Sequence, residues 1–118
     1  MRASRGEIKI EEVLQMAGLP FKEEYTFSDL VSSSGRPLRF DFAVFDDNGD
    51  IDFLIEYQGR QHYEESSKFR GAKGLYQQQY NDKQKRIYCQ KHNITLVIIP
   101  YWEEQFIDYD YIMNLAGY

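Results

Sequence analysis

The sequence predicts a single α+β (α/β) domain over residues 1–118, in which helices flank a mixed β-sheet built around a central β-hairpin. Two observations carry this prediction. Residues 38–45 and 51–57 are rich in strand formers and are joined by a segment that contains Asn48-Gly49, the strongest short hairpin signal. A continuous run of mostly β-branched residues at positions 94–99 follows a helical segment, as expected of a central buried strand reached by a helical crossover. The predicted order of elements is α-β-β-β-α-β-α.

The first helix has a recognisable start and end. Ser4 and Glu7 have the spacing of a capping box, in which each side chain bonds the other residue's backbone N–H. Gly18 and Pro20 end the helix. Its apolar side chains recur at the helical period: Ile10, Val13, Leu14 and Ala17.

The other elements follow from composition and period. Residues 22–27 alternate weakly between polar and apolar side chains, which predicts an entry strand. Residues 32–37 predict a loop, and the polar residues 64–74 predict a mobile loop. Residues 108–116 predict a closing helix. Residues 75–92 predict a second helix whose apolar stripe has four members: Tyr76, Tyr80, Ile87 and Tyr88.

Composition limits the function classes. The hydrophobic content of 42% and charged content of 28% are those of an ordinary globular chain. The single cysteine, Cys89, excludes an internal disulfide and fits a reducing compartment. No apolar run is long enough for a membrane span or a signal core, so we expect a cytoplasmic protein without a membrane partner. The net charge of −5 argues mildly against a general nucleic-acid binder.

Two carboxylates of the predicted hairpin attract attention. If Asn48 and Gly49 form a two-residue loop, Phe45 faces Asp52 and Asp41 faces Glu56. Facing residues have Cβ atoms about 4.5–5.5 Å apart, and two carboxylates at about 5 Å repel by roughly 3 kcal/mol at an effective dielectric of 20. A hard divalent cation with oxygen ligands is the natural partner for such a pair, and a solvated polar face is the alternative.

Strand alternation extends this polar face. One face of the hairpin is plainly core and the other becomes polar at the end far from the turn, where Gln58 joins Asp41 and Glu56. The predicted core face holds Phe40, Phe42, Val44, Phe53, Ile55 and Tyr57. The predicted opposite face holds Arg39, Asp41, Ala43, Phe45, Asp52, Leu54, Glu56 and Gln58.

The residue order resembles that of the PD-(D/E)XK nuclease superfamily, with a restriction-endonuclease-like sheet. An Asp on the first hairpin strand and Glu-x-Gln on the second fit its pattern, in which Lys, Glu or Gln follows the Glu by two residues. Five short motifs occur in register with those of one branch of the superfamily. That branch, which this chain resembles, contains very-short-patch repair and phage-associated "EDxHD" homing endonucleases. These motifs are Gly6-Glu7, residues 39–42, residues 55–63, residues 82–85 and residues 94–101.

The resemblance implies a DNA endonuclease that depends on Mg²⁺, with Mn²⁺ as a substitute. It implies Asp41 and Glu56 as metal ligands and His62 as a general base or water-holding residue. Glu7 matches the carboxylate on the first helix, with a capping-box role as its alternative. Asp82 or Lys85 matches the polar pair on the second helix. Gln58 departs from the usual Lys, which leaves charge stabilisation to Lys85, Arg86 or Arg60.

A basic segment predicts where DNA binds. Residues 68–91 hold seven basic residues and one acid, a net charge of +6 within an acidic chain. Phosphate contacts and a solvated helix face are the two interpretations of this segment. The predicted phosphate contacts are Arg60, Lys68, Arg70, Lys73, Lys83, Lys85 and Arg86.

Two further functions remain open from the sequence. One is a catalytically silent nucleic-acid-binding module on the nuclease fold, which Gln58 and the acidic net charge favour. The other is a dimeric, junction-resolving nuclease. A chain of this length has no room for a separate sequence-reading domain, so it needs shape recognition, a homodimer or a DNA-recognition domain elsewhere.

Overall fold

The computed structural model describes residues 4–60 and 71–118, and it shows an α+β fold with a four-stranded mixed sheet between helices. Helices α1 and α3 pack on one face of the sheet and α2 on the other. The order of helices and strands is the predicted one, with a short 3-10 helix added before α3. The elements are α1 (Arg5–Met16), β1 (Phe21–Val31), β2 (Pro37–Phe45), β3 (Ile51–Gln58), α2 (Gly71–Lys91), β4 (Thr95–Pro100), the 3-10 helix (Tyr101–Phe106) and α3 (Tyr109–Leu115).

The sheet has the spatial order β1-β2-β3-β4, with the first three strands antiparallel and β4 parallel to β3. A parallel neighbour requires a crossover, and α2 provides it. The prediction of β4 as a central strand is wrong, because β4 lies at the edge of the described sheet. Its apolar sequence is explained by burial from both sides: Val97 and Ile99 belong to one core, and Leu96 packs against the other.

The hairpin turn differs from the predicted type I′ turn. Gly49 N–H bonds the Asp46 carbonyl, Asp46 N–H bonds the Asp50 carbonyl, and Gly49 has a φ of 83°. This is a three-residue loop in which only the glycine needs the left-handed region. Phe45 therefore faces Ile51, not Asp52.

A bulge beside the turn restores the predicted register. Phe42 pairs with Ile55, Ala43 with Leu54, and Val44 with Phe53, as a two-residue loop would have required. The extra residue of the bulge compensates for the longer loop. The register that brings Asp41 towards Glu56 is therefore the predicted one, although the turn is not.

Both faces of the hairpin are buried, whereas the sequence predicted one core face and one face that becomes polar. Phe42 and Val44 face α1 and α3, whereas Phe40, Ala43 and Leu54 belong to the core under α2. The prediction that Phe40 and Phe42 share a face is wrong. The alternation of β2 breaks between them, at Asp41.

The helices also differ in detail from the predicted ones. Helix α1 has the predicted capping box and buries Ile10 and Leu14, while Ala17 is exposed. Helix α2 begins at Gly71, so the last four residues of the predicted loop 64–74 are helical. Most of its predicted apolar stripe points outward: Tyr76 is 70% exposed, and Tyr80 and Ile87 are 45% exposed. Within the described part of the chain, no helix is long and apolar enough to cross a membrane.

Candidate functional site

The two hairpin carboxylates meet where the strands β2 and β3 separate. The Tyr57 backbone N–H donates to Asp41 Oδ2 at 2.7 Å, so an aspartate side chain takes a hydrogen bond from the neighbouring strand's backbone. The charge of Asp41 also raises the pKa of Glu56, so the two carboxyl groups lie close enough to interact. The backbone bond fixes the orientation of Asp41 and holds it against Glu56.

Opposite Asp41, strand β1 has an unusual backbone. Glu24 has a φ of 51° and lies between Glu23, which pairs with Phe42, and Tyr25, which pairs with Phe40. A left-handed conformation is uncommon for a non-glycine residue. The irregularity of β1 and the broken alternation of β2 therefore coincide, and together they turn Asp41 towards α2.

Helix α2 places a lysine on these carboxylates. Lys85 Nζ forms an ion pair and a hydrogen bond with Glu56 Oε1. The ammonium also lies 5.3 Å from the centre of the Phe40 ring. The Lys85 side chain is 13% exposed and that of Glu56 is 10% exposed, so this is a largely buried ion pair.

Burial and mutual repulsion perturb both carboxyl groups. Desolvation, followed by the charge of Asp41, raises the pKa of Glu56 to about 8, although Lys85 acts in the opposite direction. Desolvation also raises the pKa of Asp41, against the hydrogen bond from Tyr57 N–H. Two carboxylates and one ammonium leave one negative charge without compensation. A proton on the pair, or an additional cation, would balance it.

A cleft of about 330 Å³ opens over the pair, between the hairpin and α2. Its inner wall is the polar side of α2, which carries Gln78, Asn81, Asp82 and Lys85 at helical spacing. Sequence reasoning missed the two amides, although the recurrence of polar residues at positions 78, 81, 82 and 85 was the available signal. A helix that turns a polar side towards a sheet lines a site or a solvent-filled gap.

Two other predicted residues border the same region. Glu7 lines the cleft, and its Oε1 accepts a hydrogen bond from Ser4 Oγ at 2.9 Å, so the capping-box role is present. Gln58 lies beside Glu56 on the β4 side, in a small pocket that Asp82 and Arg86 share. The predicted set of Asp41, Glu56, Lys85, Asp82, Glu7 and Gln58 is therefore brought together.

Those predicted phosphate contacts that the structure describes do not form one surface. Lys85 faces the cleft and Arg86 borders the small pocket, whereas Lys83 is exposed about 200° around the helix from Lys85. Lys73 is exposed as well, and Arg60 lies 5.4 Å from the centre of the Tyr101 ring. The remaining predicted residues, His62, Lys68 and Arg70, lie outside the described residues.

The carboxylate pair fits a magnesium site in donor type and charge. Magnesium is typically bound through one or two carboxylates, with water and substrate phosphates completing its shell. Asp41 and Glu56 offer oxygen donors in contact with each other and an uncompensated negative charge. Among residues 4–60 and 71–118 no group of three or more His, Cys, Asp or Glu side chains is arranged to hold a metal ion. The fit is therefore to a cation held by two protein ligands.

Comparison with known proteins finds uncharacterised viral relatives. The chain is 51% identical over 49 residues to Uncharacterized protein 094L of Frog virus 3 (isolate Goorha), covering 40% of this chain and 32% of that protein. It is 31% identical over 80 residues to Uncharacterized protein 307L of Invertebrate iridescent virus 6, covering 67% of this chain and 41% of that protein. It is 30% identical over 100 residues to Uncharacterized protein 033L of Invertebrate iridescent virus 3, covering 83% of this chain and 50% of that protein.

These matches span about a third to a half of the length of the viral relatives. No protein-family model matches the chain, and no solved structure matches it. The geometry of the site is therefore the basis for assigning a function.

Proposed function

We propose that this chain is the catalytic domain of a metal-dependent DNA endonuclease of the PD-(D/E)XK type. The observation that carries the proposal is the convergence of Asp41 and Glu56, from neighbouring hairpin strands, with Lys85 at one open cleft. A cation site beside a buried ammonium suits a substrate with concentrated negative charge, such as a phosphodiester. The order of helices and strands around the hairpin supports the same superfamily.

In this proposal Asp41 and Glu56 hold a magnesium ion, with manganese as a substitute. The ion would neutralise charge on the scissile phosphate and make water a stronger nucleophile. Asp41 is suited to this role because the Tyr57 N–H fixes its carboxylate. Lys85 supplies the positive charge that the superfamily usually places at the position of Gln58. The general base would be His62, as the family resemblance implies.

Glu7 and Asp82 have supporting roles in the proposal. Both line the cleft, and the charge of Glu7 raises the pKa of Asp41. Because Ser4 already holds the Glu7 carboxylate, Glu7 would act by positioning solvent and by its charge. Asp82 lies one helical turn before Lys85, on the side towards Gln58.

The decisive experiment is cleavage of supercoiled plasmid by the purified chain in Mg²⁺, Mn²⁺, Ca²⁺ or EDTA. The proposal predicts nicking or linearisation in Mg²⁺ and Mn²⁺ only, and its loss in Asp41→Asn and Glu56→Gln. Glu12→Gln, an amide substitution at an exposed position on α1, is the matched control and should cleave normally. Cleavage in EDTA, or cleavage that survives both site substitutions, would refute the assignment.

A second candidate is a nucleic-acid-binding module without activity. Two observations favour it: Gln58 replaces the usual lysine, and Glu56 is already engaged by Lys85. This module would bind DNA with an affinity that falls with salt, yet leave every substrate intact in Mn²⁺. The same plasmid assay, with a gel-shift measurement beside it, separates the two functions.

DNA specificity would come from outside the cleft. The viral relatives are two to three times as long as their matched regions, which leaves room for a DNA-recognition domain in proteins of that kind. A homodimer that resolves junctions is the other source of specificity. Substrates that are duplex, nicked, branched or single-stranded would distinguish recognition of shape from recognition of sequence.

A further inference from the structure

We infer that Lys85 is an internal substitute for the divalent cation: its ammonium holds the Glu56 carboxyl group in the metal-free protein and moves to substrate phosphate when the cation enters. The inference rests on the proposed function and adds a mechanism of control to the same site. It concerns where the Lys85 ammonium goes, which the proposed function leaves open.

The position of Lys85 brings its ammonium to the carboxyl group that a cation would use. Lys85 reaches the site from α2, across the cleft from the hairpin, and contacts Glu56 Oε1 directly. A cation held by Asp41 and Glu56 would draw on the same Glu56 carboxyl group whose Oε1 the ammonium engages. The two positive groups therefore compete for Glu56.

The electrostatic interaction between the Lys85 ammonium and a divalent cation is repulsive. A lysine ammonium within direct contact of a bound divalent cation would be repelled strongly at the low effective dielectric of a buried site. With a divalent cation on Glu56, the ammonium is more stable beside another negative group. A substrate phosphate in the cleft provides that negative group, and its oxygens accept hydrogen bonds from an ammonium.

The Lys85 side chain can move within the cleft. Its ammonium rests over the face of Phe40, and its flexible stem can swing over that ring without breaking a backbone hydrogen bond. The cleft wall beside it carries Gln78, Asn81 and Asp82, which are polar neighbours for a displaced ammonium. Movement of Lys85 thus requires no rearrangement of the apolar cores.

The test is calorimetric titration of Ca²⁺ and Mn²⁺ into the DNA-free chain and into Lys85→Met. Methionine keeps the unbranched stem and removes the charge. The variant should bind either ion on the order of tenfold more tightly or better, because the competing cation is gone. Lys83→Met removes the same charge from the opposite side of α2 and should change affinity less than about twofold. In a Glu56→Gln background, Lys85→Met should produce no gain, which completes a double-mutant cycle.

A second measurement needs no substitution and covers the case in which Lys85→Met does not fold. Nitrogen-15 NMR should show a slowly exchanging Lys85 ammonium in the metal-free chain, and Ca²⁺ should abolish that signal. At saturating Ca²⁺, duplex DNA should restore a protected ammonium.

The outcomes separate the inference from the proposed function. Equal or weaker ion binding by Lys85→Met, with normal binding by the wild-type chain, would overturn the exchange and leave the metal site intact. A protected ammonium that persists at saturating Ca²⁺ would also overturn it. Absence of ion binding in the wild-type chain, Lys85→Met and Lys83→Met alike would overturn the proposed metal site itself.

Discussion

The substitution Glu56→Gln should stabilise the metal-free protein at neutral pH, although it removes one half of an ion pair. Glu56 is 8% exposed, and burial together with Asp41 raises its pKa from an ordinary 4.5 to about 8. Between these two values the unfolded chain ionises Glu56, whereas the folded chain retains the proton. Folding therefore becomes less favourable as pH rises through this window, and full stability is present only below pH 4.5.

The size of the expected gain in the free energy of unfolding follows from proton linkage. Each pH unit within the window costs the folded state about 1.4 kcal/mol, so the cost at pH 7 is about 3 kcal/mol and above pH 8 about 5 kcal/mol. Glutamine resembles the protonated carboxyl: its amide can donate to Asp41 and its oxygen can accept from Lys85. The variant should avoid the cost and be more stable than the wild type by about 3 kcal/mol at pH 7, or roughly 10 °C in midpoint.

Urea unfolding of both proteins from pH 4.5 to 8.5, in EDTA, measures this difference. The two free energies should coincide near pH 4.5 and diverge as pH rises. Glu12→Gln, on the exposed side of α1, should follow the wild type throughout. A Glu56→Gln protein that is less stable than the wild type at pH 8 would show that the ion pair with Lys85 outweighs the desolvation of Glu56.

Three other predictions test the site and its support. Mn²⁺ affinity, measured by calorimetry, should rise by up to about tenfold per pH unit between pH 6 and 8 and level off above, because the cation replaces the proton of Glu56; a flat profile would contradict this. Gly6→Ala should lower stability by about 1–3 kcal/mol in urea unfolding, since the added Cβ would lie 2.1 Å from Tyr57 Cζ, and an unchanged midpoint would mean that the ring moves aside freely. Arg86→Glu should weaken duplex binding at low salt more than Lys83→Glu, because Arg86 borders the site and Lys83 points away from it; equal effects in gel-shift titrations would place DNA on the outer side of α2.

The hairpin shows why a site can be predicted when its details are not. The alternation of side chains between the two cores fixes the pairing of Phe42 with Ile55, because a slip by one residue would turn every side chain of the strand to the opposite face. That constraint is stronger than the preference of Asn48-Gly49 for a two-residue turn. A longer loop and a compensating bulge therefore satisfy the core, and the contact of Asp41 with Glu56 was predictable despite the wrong turn.

Helix α2 shows the opposite case. Apolar periodicity predicted that Tyr76, Tyr80 and Ile87 face the sheet, yet all three are exposed. The buried carboxylates Asp41 and Glu56 need a positive and polar neighbour, and that requirement decides which side of the helix faces inward. Such a requirement acts between distant segments, so it is invisible to a pattern read along one helix.

Helix α2 is held to the sheet from one end. Tyr88 packs on Phe27 and donates to Asp29, and Cys89 is buried in the core under the helix. Before Tyr88, none of the helix side chains that the structure describes belongs to either apolar core. The free energy of local opening should therefore rise from the beginning of the helix to its end, as amide hydrogen exchange would record. The first turns can lift from the cleft without exposing the core, and under the proposed function this would give a duplex a way in while the rest of the fold stays closed.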